Sequence, residues 1–144
     1  MSRVLISPIG VGREGDKGLG REYRLTNYKM ENSNKIYTTP FLIEALADNF
    51  KIDKIIFVGT GKSMWEDLYE YFSNKNGNEI DQKYWYEIAS STIDYKYNES
   101  RITTNKLDKL KLVIDSYLRK INPDSAGGSK PIIIRYGLNK EELW

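Results

Sequence analysis

The sequence has no cysteine and no histidine among its 144 residues. The first absence removes disulfides, thiol nucleophiles and thiolate metal sites. The second removes the commonest general base and the commonest transition-metal ligand. Any catalysis must therefore rest on Lys, Arg, Ser, Thr, Tyr or carboxylates. An excess of one charge is also missing: 22 Lys and Arg against 20 Asp and Glu leave a net +2. That is too little for a duplex nucleic-acid binder, whose domain is usually strongly basic. No apolar run approaches the roughly 18 residues needed to span a bilayer. The longest early one, residues 4–11, lacks the length and cleavage site of a signal peptide. A cytoplasmic protein with no membrane partner is expected. With 40% hydrophobic and 29% charged residues, the chain has the composition of one globular domain with its own core.

The most informative stretch is "IIFVGTGKSMWEDLYEYF", residues 55–72. Gly61-Lys62-Ser63 has the letters of a phosphate loop, but a Walker A loop needs a glycine five positions before that triplet. Ile56 stands there, inside the apolar run, so a P-loop is not expected. What the stretch does predict is a buried strand over residues 54–58 that stops at glycine. A helix follows, with Met64, Leu68 and Phe72 beside Trp65 and Tyr69 on its apolar face. Ser63 with Glu66 three residues on matches a capping box, which starts the helix at Ser63. The free N–H groups of such a helix start attract an anion; alternatively, Ser63 only caps the helix and Lys62 is a solvated side chain.

Residues 3–9 read as a first strand running into "GVGREGDKGLGREYR". Gly10, Gly12 and Gly15 spell G-x-G-x-x-G, yet Asp16, Gly18 and Gly20 prevent the helix that a dinucleotide fingerprint must open. A mobile glycine-rich loop carrying Arg13, Lys17 and Arg21 is expected instead. "YRLTNYKM" and "KIYTT" then predict a β-hairpin turning at residues 31–34. Thr39 is expected to cap a helix with Pro40 first and Phe41, Leu42, Ala45, Leu46 and Phe50 on its inner face.

Residues 74–78 break the pattern, and the segment to residue 101 is the hardest to assign. Its Tyr84, Trp85, Tyr86, Tyr95 and Tyr97, interleaved with Lys83 and Lys96, suit either base stacking or, more commonly, a tyrosine-rich core edge. Residues 104–121 predict a helix with Leu107, Leu110, Ile114, Tyr117, Leu118 and Ile121 on one face, closed by Asn122-Pro123. A last strand over residues 131–135 exits through "RYGLNKEELW", where Asn139 is a candidate helix cap. Only one turn of that helix would fit, so the chain reads as the front part of something longer.

Strands alternating with helices give an α/β fold with a mainly parallel sheet. In such sheets ligands bind off the carboxyl ends of the strands. Three loops leave those ends, at residues 10–20, 59–63 and 136–139, and are expected to converge on one site.

In this order, "VLISPIGVG", "YRLTNY", "TTPFLIEAL", "IIFVGTGKSMW" and "IIIRYGLNKEEL" resemble the start of the CRISPR-associated Rossmann-fold (CARF) family of type III CRISPR ancillary proteins. The resemblance covers the chain apart from residues 74–101. It implies a Rossmann-like α/β domain over residues 1–144, with a β-hairpin insertion and its C-terminal part cut short. It also implies a sensor that binds cyclic oligoadenylate, with cyclic tetra-adenylate preferred, across the two-fold axis of a homodimer, where every contact is made twice. Carried over, Gly10 and Gly12 line the ring; Thr60, Gly61, Lys62 and Ser63 hold phosphate or ribose; Tyr136, Gly137, Leu138 and Asn139 meet adenine or the neighbouring subunit. Arg13 adds positive charge. No cofactor and no metal are implied.

Family members usually continue into a further strand with an Asp-x-Thr-His-like motif and an effector domain, often a histidine-dependent ribonuclease. Neither is in this sequence. Some relatives cleave their own ligand without metal, the ribose 2′-OH attacking the adjacent phosphate. In that alternative, Lys62 and Arg13 stabilise developing charge and Ser63 positions the phosphate. A nucleotide-binding Rossmann-like domain of unrelated role is the further alternative.

Overall fold

A computed structural model of the chain describes residues 2–10, 13–14, 21–61, 63–92 and 102–134. At its centre is a parallel sheet of three strands, β1 (Val4–Pro8), β6 (Lys54–Gly59) and β7 (Lys130–Ile133), in the order β1-β6-β7. Two antiparallel ribbons stand apart from it. One pairs β2 (Arg13–Glu14) with β3 (Arg21–Glu22), and the other pairs β4 (Thr26–Lys29) with β5 (Ile36–Thr39). The α/β, Rossmann-like architecture expected from the alternating pattern is present.

β6 is central because its alternate residues Ile55 and Phe57 are fully buried, one side of the sheet facing the helices. Register sets Leu5 beside Ile55 and Ser7 beside Phe57 on that side. Against it pack α1 (Leu42–Phe50), α2 (Trp65–Lys75), α3 (Gln82–Thr92) and α4 (Asp108–Ile121), the last preceded by a 3-10 turn, Thr104–Leu107. Leu68 and Phe72 of α2 share one core with Leu110, Ile114 and Leu118 of α4. Each such fully buried side chain contributes roughly 1.5–3 kcal/mol.

Two expectations about helix starts need correction. α1 begins at Leu42, not Pro40. Phe41 before it is extended, at φ −123° and ψ 114°, so its side chain is out of helical phase. The inner face accordingly falls on Ile43, Ala45 and Ala47, while Leu42 and Phe50 are 44% and 39% exposed. Thr39 does not cap the helix itself; its Oγ1 accepts the Phe41 N–H at 3.1 Å, a local side-chain turn. α2 begins at Trp65 rather than Ser63, for a reason that belongs to the site below.

The segment after residue 78 contains α3, which the sequence pattern did not reveal. Tyr84 is buried, edge-on to Tyr69 at 4.7 Å, and its hydroxyl accepts the Leu110 N–H at 3.3 Å. The core-edge reading therefore holds for Tyr84. Tyr95 and Tyr97 lie outside the described residues, as do Arg135 and the helix start expected at Asn139.

The amino ends of the strands are tied by side chains. Asn122 Nδ2 donates to Asp53 Oδ1 at 3.0 Å, and Ser129 Oγ accepts the Ile55 N–H at 3.0 Å. The Asp115 carboxylate accepts the N–H groups of Gly128 and Ser129, each at 3.1 Å. Gly127 and Gly128 sit at φ +80° and +94°, a conformation that favours glycine.

Two predictions follow from this packing. Asp115→Ala strands two backbone donors and should cost about 2–3 kcal/mol in urea unfolding; an unchanged midpoint would contradict the staple. The second concerns alkaline pH. Desolvation, and after it the bond to Asp48, raises Tyr37 from 10.0 to about 12. Burial also raises Tyr71, Tyr84 and Tyr117. Folding thus favours the protonated phenols, so their contribution is whole below pH ~10 and is lost as pH climbs through the folded values. Tyrosinate absorbance should rise in two phases, the later one coinciding with loss of circular dichroism. Ionisation of all 11 tyrosines in a single step, with dichroism intact, would contradict it.

Candidate functional site

Parallel pairing forces the ends of all three strands to one edge of the sheet. The Ile9 N–H donates to Val58 O at 2.8 Å, and the Ile134 N–H to Gly59 O at 2.7 Å. The chain after β1, the turn after β6 and the exit from β7 therefore start side by side, as the strand pattern predicts.

The turn after β6 is built from small residues and one indole. The Ser63 N–H closes it onto Thr60 O at 3.1 Å, and Trp65 Nε1 donates to the same carbonyl at 2.9 Å. Gly59 is where the chain must be bare: a Cβ there would lie 2.6 Å from Trp65 Cζ2 and 2.8 Å from Ser63 Oγ. Trp65 is wholly buried against the end of the strand.

Ser63 is 1% exposed. Its hydroxyl donates to Ile9 O at 2.7 Å and accepts the Thr60 N–H at 3.0 Å. This explains why no capping box forms: the hydroxyl is turned to the end of β1, away from the first turn of α2. The Met64 N–H and the Tyr23 hydroxyl both donate to Gly10 O, at 3.2 and 2.6 Å. Gly10, Thr60, Gly61 and Ser63 are thus brought together at one edge, with Gly10 on the exposed surface and Gly61 tucked inside. Arg13 opens β2, the ribbon found where a mobile loop is expected. Gly12, Lys62, Tyr136, Gly137, Leu138 and Asn139 lie outside the described residues.

The electrostatics modify the anion argument. Glu66 and Asp67 occupy the first turn of α2, where they already meet the positive end of the helix dipole. An anionic ligand at this edge would therefore need cationic side chains more than the helix; Lys17 and Lys62, two of those expected from the sequence, lie outside the described residues. A neighbouring cleft of about 260 Å³, lined by Tyr23, Phe41, Asp67, Glu70 and Tyr71 among others, has the wrong sign for phosphate. Sequence reasoning missed Tyr23, which it placed only in a strand. It also missed the bond from the Trp65 indole. The only signal for the latter is a tryptophan six residues after the strand-ending glycine.

Glycine turns at the carboxyl edge of a parallel sheet flanked by helices place the domain in the Rossmann-like α/β class. The chain belongs to the CARF-domain family: residues 4–134 match the family described as "CRISPR system endoribonuclease Csx1, CARF domain". It is also 44% identical, over all 144 residues, to the CRISPR-associated protein MJ1674 of Methanocaldococcus jannaschii. The chain spans 23% of that relative's length. No solved structure gives a significant match. Among the described residues, no helix is long and apolar enough to cross a membrane.

Gly59→Ala should overpack the turn and lower stability by about 1–3 kcal/mol. Ser63→Ala, which removes the hydroxyl's bonds to Ile9 O and the Thr60 N–H, should cost a similar ~1–3 kcal/mol. Equilibrium denaturation measures both; wild-type stability in either variant would show that the turn is not held as described.

Proposed function

We propose that this chain is the sensing domain of a type III CRISPR defence protein, binding cyclic oligoadenylate, with cyclic tetra-adenylate as the preferred ring, across a homodimer axis. The observation that carries the reading is the joining of the end of β1 to the turn after β6 at the carboxyl edge of the sheet, Ser63 bridging Ile9 O and the Thr60 N–H and the Met64 N–H reaching Gly10 O, in a chain whose family is CARF. Small residues let a ring of phosphates approach the backbone there. Arg13 and Lys62 supply the charge, while Gly12 and residues 136–139 complete the lining from the flanking loops. Two-fold symmetry suits a symmetric ring, since each subunit offers the same half-site.

Binding is favoured over ring cleavage by the placement of Ser63. Its proton is committed to Ile9 O, and the side chain is buried, so in this reading Ser63 shapes the turn rather than serving the phosphate. Without histidine, the side chain whose ordinary pKa best suits proton transfer near neutral pH is missing.

Titration calorimetry with cyclic tri-, tetra- and hexa-adenylate, without metal, should show tight binding of one ring size at two chains per ring, with the ring recovered intact by chromatography. Lys62→Ala and Arg13→Ala should each weaken binding about tenfold or more, the loss of a charge-assisted phosphate contact. A folded chain that binds none of the rings would overturn the proposal.

A further inference from the structure

The cleft beside the ligand edge has walls of two kinds. Tyr23, Pro40 and Phe41, which flank the β4–β5 hairpin, form one side, and Asp67, Glu70 and Tyr71 of α2 form the other. The rings touch one another: the centroids of Tyr23 and Phe41 are 4.5 Å apart, and those of Phe41 and Tyr71 are 5.2 Å apart. Hydrogen bonds hold two of the rings in place, the Tyr23 hydroxyl donating to Gly10 O at 2.6 Å and the Tyr71 hydroxyl to Glu44. Asp67 and Glu70 stand three residues apart, so their carboxylates share one stripe of the helix.

This chemistry selects the occupant. Two carboxylates repel a phosphate, and a volume of about 260 Å³ falls below the roughly 300–1,000 Å³ of pockets that take drug-sized ligands. Among the described residues, no group of three or more acidic side chains could hold a metal ion. A cation the size of one side chain remains. The Tyr71 ring already accepts one, since Lys75 Nζ lies 5.6 Å from its centroid, within the ~6 Å reach of a cation–π contact. That ammonium is paired with Glu44 at 3.0 Å, whereas the Glu70 carboxylate has no hydrogen bond or ion pair among the described residues. A guanidinium suits the cleft best. Its flat face stacks on aromatic rings while its edge donates to carboxylates, two roles that the compact ammonium of lysine does not combine.

We propose that the cleft is a docking site for an arginine side chain presented by a protein partner. The rim points to a peptide rather than a free guanidinium compound. Leu42, next to Phe41, is 44% exposed. Leu25, which with the cleft-lining Pro40 adjoins the hairpin's end pair, Thr26 and Thr39, is 70% exposed. A small cation leaves these apolar side chains in water; the residues that flank an arginine in a peptide cover them. The cleft borders the ligand edge through Tyr23, but its charge is opposite to that needed for a ring of phosphates. The two sites therefore take different partners, and docking here stands apart from ring binding.

The test is an amide nitrogen–proton NMR titration of the chain with the peptide acetyl-Leu-Arg-Leu-amide, beside the same peptide carrying citrulline, which keeps the shape of arginine and removes its charge. The arginine peptide should give saturable shifts at Phe41, Asp67, Glu70 and Tyr71 and bind at least about fivefold more tightly than the citrulline peptide. Glu70→Gln should weaken the arginine peptide about threefold or more, leaving circular dichroism and the affinity for the citrulline peptide unchanged. Equal binding of the two peptides, an affinity unchanged by Glu70→Gln, or no saturable shift at those four residues would overturn the proposal. Agmatine, a free guanidinium compound, is the second probe and should bind at least about fivefold more weakly than the arginine peptide, because it leaves the rim uncovered. Agmatine that matches the peptide would overturn the assignment to a protein partner. Cleft signals that move with the concentration of the chain alone would assign the cleft to a second copy and overturn it as well.

Discussion

The lack of a side chain at Gly59 is the constraint on which the candidate site depends. Into the space that a Cβ would occupy come the Trp65 indole, at 2.6 Å from it, and the Ser63 hydroxyl, at 2.8 Å. Because they fit there, the indole reaches Thr60 O and the hydroxyl reaches Ile9 O. The end of β1, the turn after β6 and the start of α2 are thereby locked to one another. The tightness also explains an apparent waste: a serine at the start of a helix that does not cap it. Bridging two strand ends satisfies two buried backbone groups at once, and each left unpaired would cost about 1–3 kcal/mol.

The two edges of the sheet are finished in different ways. At the amino edge, Asn122, Asp115 and Ser129 reach across from loops and α4 to hold backbone groups. Those side chains fix the loops and leave little backbone for a ligand. At the carboxyl edge the described part of the turn after β6 is Gly59, Thr60, Gly61 and Ser63, with Trp65 buried behind it. Such an edge lets a ligand come close to the backbone, and the proposed binding of a cyclic oligoadenylate uses that property. The acidic first turn of α2 sets a condition on the same proposal, since recognition of phosphate must come from the lysine and arginines of the loops.

Much of the fold is legible in the sequence. The β-branched run over residues 54–58, the hairpin around residues 31–34 and the apolar face of residues 104–121 each follow a clear period, and all three are present. The errors share a cause. Ser63 and Thr39 look like helix caps, but their hydroxyl oxygens accept other N–H groups, that of Thr60 for one and of Phe41 for the other, while their protons go to Ile9 O and to Glu44. Local pattern cannot register a partner 54 residues away. α3 was hidden because its buried face, Tyr84, Ile88 and Ser91, holds a single aliphatic residue, so the usual aliphatic spacing is absent. At the site, strand ends and small residues were readable in advance. The hydrogen bond of Tyr23 to Gly10 O was not, because it depends on how the hairpin folds back.

The central claim is that ligand recognition belongs to the carboxyl edge, on the turn organised by Gly59, Ser63 and Trp65. The most direct check is an amide nitrogen–proton NMR titration of the labelled chain with cyclic tetra-adenylate. The account predicts that the signals of Gly10, Thr60 and Gly61 shift, while those of Gly127, Gly128 and Ser129 at the opposite edge stay in place. Shifts concentrated at the Gly127–Ser129 loop, or a ligand that moves neither set, would contradict it.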